Sequence, residues 1–376
     1  MGLFVIGLLK RWKQRYTTMQ PQSMNRRDFL HPQSLAFQTG QLLGALDALD
    51  IPAETPPTED VSLLRGSCRA MATQFEVLLP YGTPKSQEAF AGLFDQVDRL
   101  EQQLTVYSEK SDMSWLNHSA FAAPVQVEER LFRLLELAKQ ISIDTEGAFD
   151  IASGALIKAW GFFRGPPRVP SREEIADCLS TVGMHHVELN QEARTVRFNR
   201  CGVEINLGSI GKGYALDCMA QQLRDQHQCS AALLHGGRSS VYAIGSQPGE
   251  RGGWRVGIQH PWQPGQRLGI VRLRNQALGT SAATFRHLDH EGRKLGHILD
   301  PRTGWPAEGI ASASVIAPSA AEADALATAF FILGVEKARD YCEKHPQVSA
   351  IILPEVADAK SVAIGVSLEE NSFCAV

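Results

Sequence analysis

VEINLGSIGKGYALD, from Val203 to Asp217, is the stretch on which the reading of this chain turns. Val203, Ile205 and Leu207 alternate with Glu204 and Asn206, the period-2 pattern of a half-buried strand. Gly208, Gly211 and Gly213 then admit tight backbone turns. GYALDCMAQQLRDQ continues with helical character. A strand, a glycine turn carrying Lys212 and a helix start together suit an anion, because free N–H groups and the positive end of the helix dipole meet there. Neither common nucleotide fingerprint is present. A P-loop would need Gly at Asn206 and Ser or Thr at Gly213. A Rossmann turn would need G-x-G-x-x-G, and Gly211–Lys212–Gly213 runs on into Tyr214, Ala215 and Leu216. Spacing alone favours a structural strand–helix turn over a phosphate cradle.

The bulk composition is that of a globular protein. The chain has 376 residues, 44% hydrophobic and 21% charged, with a net charge of −4. That length supports a large core in one domain or two. Nothing in the charge balance argues for nucleic-acid binding. The seven cysteines are odd in number and form no C-x-x-C, which argues against a zinc site or a disulfide framework.

The first sixty residues read as a tail. The apolar run that opens the chain ends at Lys10 and Arg11, short of the roughly 20 residues a membrane span needs. Asn25–Arg26–Arg27–Asp28–Phe29–Leu30 resembles a twin-arginine export signal. His31, Pro32, Gln33, Gln38, Gln41 and Asp47 then interrupt the apolar stretch that should follow. The interruptions favour a cytoplasmic location over export. Met24 is an alternative start. Ala53–Asp60 reads as a linker. The expected organisation is a tail over 1–60, one domain over 61–356 and a C-terminal tail over 357–376.

Within the domain, Arg69–Leu79 reads as a strand opening on Met71–Ala72–Thr73. Glu88–Leu104 is an amphipathic helix with Leu93, Val97, Leu100 and Leu104 on one face. A polar loop is expected up to Asn117. Glu128–Ile141 is a second helix, and Arg172–Leu179 a third, with Ser171 and Glu174 at capping-box spacing. From His186 the pattern is mostly β. His186–Leu189 and Thr195–Phe198 read as a hairpin. Ala231–Leu234, Val241–Ile244, Trp254–Gln259, Leu268–Arg274, Ala313–Ile316 and Val348–Leu353 read as strands, with a helix over Ala320–Leu333. The mixture without strict alternation predicts an α+β fold with a mainly antiparallel sheet.

Ala323–Asp324–Ala325–Leu326–Ala327–Thr328 is the most telling stretch for chemistry. Ser319 and Glu322 already supply a capping box for this helix, so Asp324 is not needed as a cap. An unpaired carboxylate among Leu326, Phe330 and Phe331 is costly. Asp324 and Thr328 are i, i+4 and share a face. Two oxygen donors on one face suit a hard cation such as Mg²⁺. The competing reading is an Asp on the exposed edge and a Thr bonded to its own backbone. His297–Ile298–Leu299–Asp300–Pro301–Arg302–Thr303–Gly304 joins a candidate general base to a Pro/Gly turn. In isolation it reads more readily as a half-buried strand residue, His297, followed by a turn over Asp300–Gly304. Gly236–Gly237 ends a strand where glycine lets a ligand approach, or simply makes a turn. Asp150 is a ligand contact or a cap, and Tyr107 a stacking platform or packing.

Taken in order, Met71–Ala72–Thr73, Thr105–Val106–Tyr107–Ser108, Gly147–Ala148–Phe149–Asp150, Trp160–Gly161–Phe162, Asn206–Tyr214, Gly236–Gly237, Thr280–Ser281, His297–Gly304 and Ala323–Thr328 resemble the FAD:protein FMN transferases, the ApbE-like family. The likeness spans about Arg69 to Leu353, and its specificity lies in the order of the motifs. It implies a mainly antiparallel, T-fold-like sheet or barrel-like core with flanking helices. It also implies a Mg²⁺-dependent enzyme that cleaves FAD, places FMN on a threonine of a target flavoprotein and releases AMP. By position, Asp324 and Thr328 would be Mg²⁺ ligands, with Ser209 contributing its main-chain carbonyl. Met71, Tyr107, Ala148, Phe149, Asp150, Asn206 and Lys212 would contact the flavin nucleotide. His297 would activate the acceptor hydroxyl. FAD and the acceptor are the expected partners, with membrane association only if the target is membrane-bound. The chain departs from the family pattern at Asn206, where Asp is usual, at Arg238 after the glycine pair, at Ala282 and at Ala327. Those departures leave two alternatives: a Mg²⁺-dependent FAD pyrophosphatase, and a non-catalytic FAD-binding protein.

Overall fold

The computed structural model describes residues 62–163, 166–263, 265–282, 287–290, 292–356 and 358–369. The expected tail, twin-arginine segment and linker lie outside the described residues. Among those described, no helix is long and apolar enough to cross a membrane.

One eight-stranded antiparallel sheet organises the domain. Its strands are β1 (Leu63–Ala70), β2 (Thr73–Pro80), β6 (Ala232–Gly236), β7 (Ser240–Ile244), β10 (Gln276–Ala282), β13 (Ile310–Ala317), β14 (Ser349–Pro354) and β15 (Val362–Ile364). They are hydrogen-bonded in that order. The sheet is open, with β1 and β15 as its edges, so the core is not a closed barrel. The architecture is α+β, as the mixed patterning predicts. Strand β15 lies in the segment expected to be a C-terminal tail and pairs with β14.

Period-2 alternation divides the sheet's side chains between two cores. Phe75, Val77, Leu234, Tyr242, Ala277, Ala313 and Val315 face the helices. The helices are α1 (Ser86–Leu104), α2 (Asp112–Ser119), α3 (Glu129–Asp144), α4 (Gly154–Ala159), α5 (Arg172–Leu179), α6 (Gly211–His227) and α7 (Ala320–Lys344), of which α4 and α5 bury Leu156 and Ile175 in a separate small core with Trp160. Leu78, Leu233, Val241, Leu278, Ile316 and Ile351 face the other way, onto a hairpin of β8 (Trp254–Gln259) and β9 (Arg267–Leu273). Trp254, Val256 and Ile258 point inward from β8 while Arg255, Gly257 and Gln259 are exposed. Each large apolar side chain buried this way contributes about 1.5–3 kcal/mol. The remaining strands are β3 (Val125–Gln126), β4 (Val187–Asn190) and β5 (Thr195–Phe198), which form a small sheet, and the hairpin of β11 (His287–His290) and β12 (Arg293–Gly296).

Several local expectations change. Arg69–Leu79 is not one strand: β1 and β2 pair from Leu63↔Pro80 to Ala70↔Thr73, leaving Met71 and Ala72 as a two-residue turn. Both have positive φ, 50° and 58°, the requirement of a type I′ hairpin turn. The loop expected before Asn117 contains α2, N-capped by Ser111, whose Oγ accepts from the Ser114 N–H. The Ser171–Glu174 capping box is present in full. Helix α7 runs beyond Leu333, with a non-helical residue at Gly334.

The opening segment corrects the strand expectation most directly. Val203, Ile205 and Leu207 are buried and alternate with more exposed neighbours, yet no strand forms there. Its backbone partners are not a neighbouring strand. The Asn117 side chain donates to the Ile205 carbonyl at 2.9 Å and accepts from the Ile205 N–H at 2.8 Å. The Asn206 N–H donates to Ile151 O, and the Gly154 N–H to Glu204 O. Alternation reports burial on one side; strand formation also needs a parallel or antiparallel neighbour.

Candidate active site

The segment from Leu207 delivers the chain into α6 through a compact turn. The Gly208 N–H donates to Asn206 Oδ1 at 2.9 Å, and the Gly211 N–H donates to Leu207 O at 2.7 Å. Asn206 therefore shapes the turn as well as bordering a cleft. Helix α6 starts at Gly211 with Ile210 at its cap and no side-chain capping bond.

Helices α6 and α7 are locked together at their first turns. A Cβ on Gly213 would lie 2.1 Å from Ala320 O, so only glycine allows this approach. The Gly213 N–H donates to Asp324 Oδ2 at 2.8 Å. In the other direction, the Asp217 carboxylate accepts from the Ala320 and Ala321 N–H groups at 2.7 and 2.9 Å. Ser319 Oγ accepts from the Glu322 N–H as expected. No reciprocal bond from the Ser319 N–H to the Glu322 carboxylate is formed, and Asp217 serves the next two N–H groups of this buried helix end. Burial pushes the Asp217 carboxyl up to about 7, against the lowering effect of those two N–H bonds.

Asp324 is buried, 6% exposed, and not at an exposed helix edge. Ser240 Oγ lies 2.7 Å from its Oδ1 and 2.8 Å from its Oδ2. Burial raises its carboxyl to about 6; the Lys212 charge, the Ser240 hydroxyl and the Gly213 N–H pull it back down. A buried carboxylate opposed only by a lysine charge and two neutral donors suits an added cation. Thr328, one turn on, bonds back to Asp324 O at 3.3 Å and also meets Ser281 Oγ at 3.2 Å. Ser209 lies half-buried in the turn before α6. No three His, Cys, Asp or Glu side chains converge among the described residues. A cation here would thus draw on hydroxyl and carbonyl oxygens beside Asp324, ligands that fit Mg²⁺.

A cleft of about 280 Å³ is bordered by Val106, Ser114, Asn117, Lys158, Phe163, Ile205 and Asn206. The exposed Tyr107 ring stacks on Phe163, which lines the cleft, with centroids 4.7 Å apart and planes at 9°. Lys158 pairs with Glu204 at 2.6 Å and sits 5.2 Å from the Phe163 ring centroid. The cleft has flat, aromatic and polar surfaces, of the kind that receive a ring system bearing hydrogen-bonding edges.

The other expected contact residues are held by their own surroundings. The Met71 N–H donates to Glu101 Oε1 at 2.8 Å, which steadies the β1–β2 turn. Ala148 and Phe149 are buried, and Phe149 belongs to the main core. Asp150 Oδ2 accepts from Ser142 Oγ and from the Met184 N–H, and its Oδ1 accepts from the Ala152 N–H. Burial raises its carboxyl above the usual range. This carboxylate organises the 147–152 loop, which in turn receives the Asn206 N–H at Ile151. Gly236 ends β6, and Gly237, at φ 69°, packs on Thr73 and opens the β6–β7 turn against β2.

His297 is half-buried and follows β12. Asp300 binds the backbone and guanidinium of Arg302, and its carbonyl receives the Thr303 and Gly304 N–H groups. The Asp300–Gly304 stretch is thus a turn, anchored by Trp160 Nε1 donating to Gly304 O at 2.9 Å.

Sequence reasoning missed Ser240, Asn117, Glu101 and Phe163. Each acts through a partner far away in sequence, and none carries a local signal.

Comparison with known proteins places the chain in a family. A family model described as the ApbE family matches residues 71–352. The FAD:protein FMN transferase of Treponema pallidum (strain Nichols) is 33% identical over 290 residues, covering 73% of this chain and 80% of that protein. The FAD:protein FMN transferase of Escherichia coli (strain K12) is 31% identical over 296 residues, covering 77% and 83%. The crystal structure of the ApbE protein from Thermotoga maritima superposes with a TM-score of 0.72 at 28% identity, covering 81% of this chain and 97% of that one. On the extent of the family match and the likeness to the Treponema protein, this chain belongs to the ApbE family.

Proposed function

We infer that this chain is an FAD:protein FMN transferase, moving FMN from FAD to a protein acceptor. The observation that carries the reading is the family match across residues 71–352, which contains both the cleft and the α6–α7 junction. The finer assignments are proposals. Asp324, Thr328 and the Ser209 carbonyl would hold a Mg²⁺ ion. When bound, such an ion neutralises charge on the pyrophosphate oxygens during phosphoryl transfer.

The chain's own residues supply positioning and proton handling. Lys212, in the first turn of α6, presents a positive charge where anionic oxygens would lie. Asn206 borders the proposed flavin cleft, and Tyr107 stacks on Phe163, which lines it. His297 takes the proton from the acceptor threonine hydroxyl. The threonine oxygen forms a bond to the FMN phosphorus, the bond from that phosphorus to the AMP oxygen breaks, and AMP leaves with the electron pair.

The test uses purified protein with FAD, Mg²⁺ and a threonine-bearing flavoprotein. In-gel flavin fluorescence on the acceptor, with AMP released in step, supports the reading. AMP without labelled acceptor makes the chain an FAD pyrophosphatase. FAD retention with no AMP makes it a binding protein.

A further inference from the structure

We infer that Ser240 is a positioning residue for this reaction: its hydroxyl fixes the plane of the Asp324 carboxylate and so sets the affinity for the divalent cation. The inference rests on the cation reading of Asp324 and Thr328 proposed above.

Ser240 is fully buried, 0% exposed, and a buried hydroxyl needs a partner. Its Oγ lies 2.7 Å from Asp324 Oδ1 and 2.8 Å from Oδ2, so one proton bridges both oxygens. The Gly213 N–H reaches Oδ2 from a different direction at 2.8 Å. The two donors come from β7 and α6, while the carboxylate rides on α7. Two fixed donors remove the side chain's torsional freedom. They also leave the oxygens unequal. Oδ2 accepts from two groups and Oδ1 from Ser240 alone, so Oδ1 keeps more capacity for a cation.

The surrounding backbone is shaped to allow this contact. Ser240 begins β7 and pairs with Gly279 of β10. A Cβ on Gly279 would lie 2.4 Å from the Ala323 carbonyl carbon. Helix α7 therefore lies tightly against the sheet beside the residue pair that carries Ser240. Among the described residues, Ser240 is the only side chain that donates a hydrogen bond to Asp324. Groups that orient a ligand in this way typically change metal affinity by about 10–100-fold when removed.

The experiment measures Mn²⁺ binding to the full-length protein by electron paramagnetic resonance, with the metal alone as probe. It adds the Mg²⁺ dependence of FMN transfer. Ser240→Ala is expected to weaken Mn²⁺ binding by about tenfold or more. The half-saturating Mg²⁺ concentration rises by the same factor, while KM for FAD at saturating Mg²⁺ stays within about twofold, because the flavin cleft is untouched. Ser240→Cys keeps a weaker donor in nearly the same volume and falls between; it carries the test if Ser240→Ala does not fold. Unchanged Mn²⁺ binding in Ser240→Ala, with binding abolished in Asp324→Ala, overturns the positioning role and leaves the cation reading intact. Mn²⁺ binding that survives Asp324→Ala overturns the cation reading and this inference with it.

Discussion

The Gly213 N–H donates to the Asp324 carboxylate across 111 residues of sequence, at 2.8 Å. That bond joins the first turn of α6 to the second turn of α7. It exists because Gly213 has no side chain to hold the helices apart. In Gly213→Ala the new Cβ would lie 2.1 Å from Ala320 O and 2.6 Å from Ala321 N, both backbone atoms that cannot swing away. The expected cost is about 1–3 kcal/mol, as for other overpacked sites. Urea denaturation measures that loss. FMN transfer should fall with it under conditions where the variant is fully folded, since Asp324 loses its alignment.

Asp217 gives a pH signature of defined sign. Burial raises its carboxyl from 3.8 to about 7 in the folded protein. The folded state then binds the proton more tightly than the unfolded chain does. Its contribution is fully present below pH 3.8 and is lost as pH rises through about 7. Asp217→Asn removes this titration while keeping one acceptor for the α7 N–H groups. The melting-temperature difference, wild type minus variant, should shrink as pH rises from 4 to 7. A difference independent of pH would show that Asp217 does not titrate in this window.

The β1–β2 turn stores backbone strain at Ala72, whose φ is 58°. A non-glycine residue there costs roughly 1–2 kcal/mol, and glycine's extra unfolded-state entropy takes back about 0.5–1 kcal/mol. Ala72→Gly should therefore stabilise the protein by about 0.5–1 kcal/mol. A higher urea midpoint with an unchanged m-value is the expected result.

Tyr107 is 54% exposed and stacked on Phe163, which lines the cleft. An aromatic pair of this kind is worth about 0.5–1.5 kcal/mol. If the ring meets the flavin, Tyr107→Ala should raise KM for FAD by about 3–10-fold with a smaller change in kcat. Steady-state kinetics at saturating acceptor checks this. An unchanged KM would remove Tyr107 from the flavin site.

Much of the fold was legible because local rules and tertiary structure agree. The α1 and α3 helices follow from apolar spacing, α5 from its capping box, and the β8 strand from alternation that ends up on the sheet's outer core. The failures have specific causes. QALGTSA, β10, escaped notice because Gly, Ala and Ser have low strand propensity. Those small residues are there because α7 lies against them: a Cβ on Gly279 would collide with Ala323. Val203–Leu207 had the right alternation, but its hydrogen bonds go to Asn117, Ile151 and Gly154.

The sequence by itself determined the class of fold, the family, and the oddity of Asp324: a carboxylate in an apolar helix that Ser319, not Asp324, caps. Periodicity, capping and motif order are properties of neighbours along the chain. Only the tertiary structure decided what meets that carboxylate. Ser240 and Gly213 lie 84 and 111 residues away, and they reach it because glycines at 213 and 279 let helix α7 settle onto both α6 and the sheet. Close packing between distant segments carries no periodic signal, so it becomes visible only when the segments are folded together.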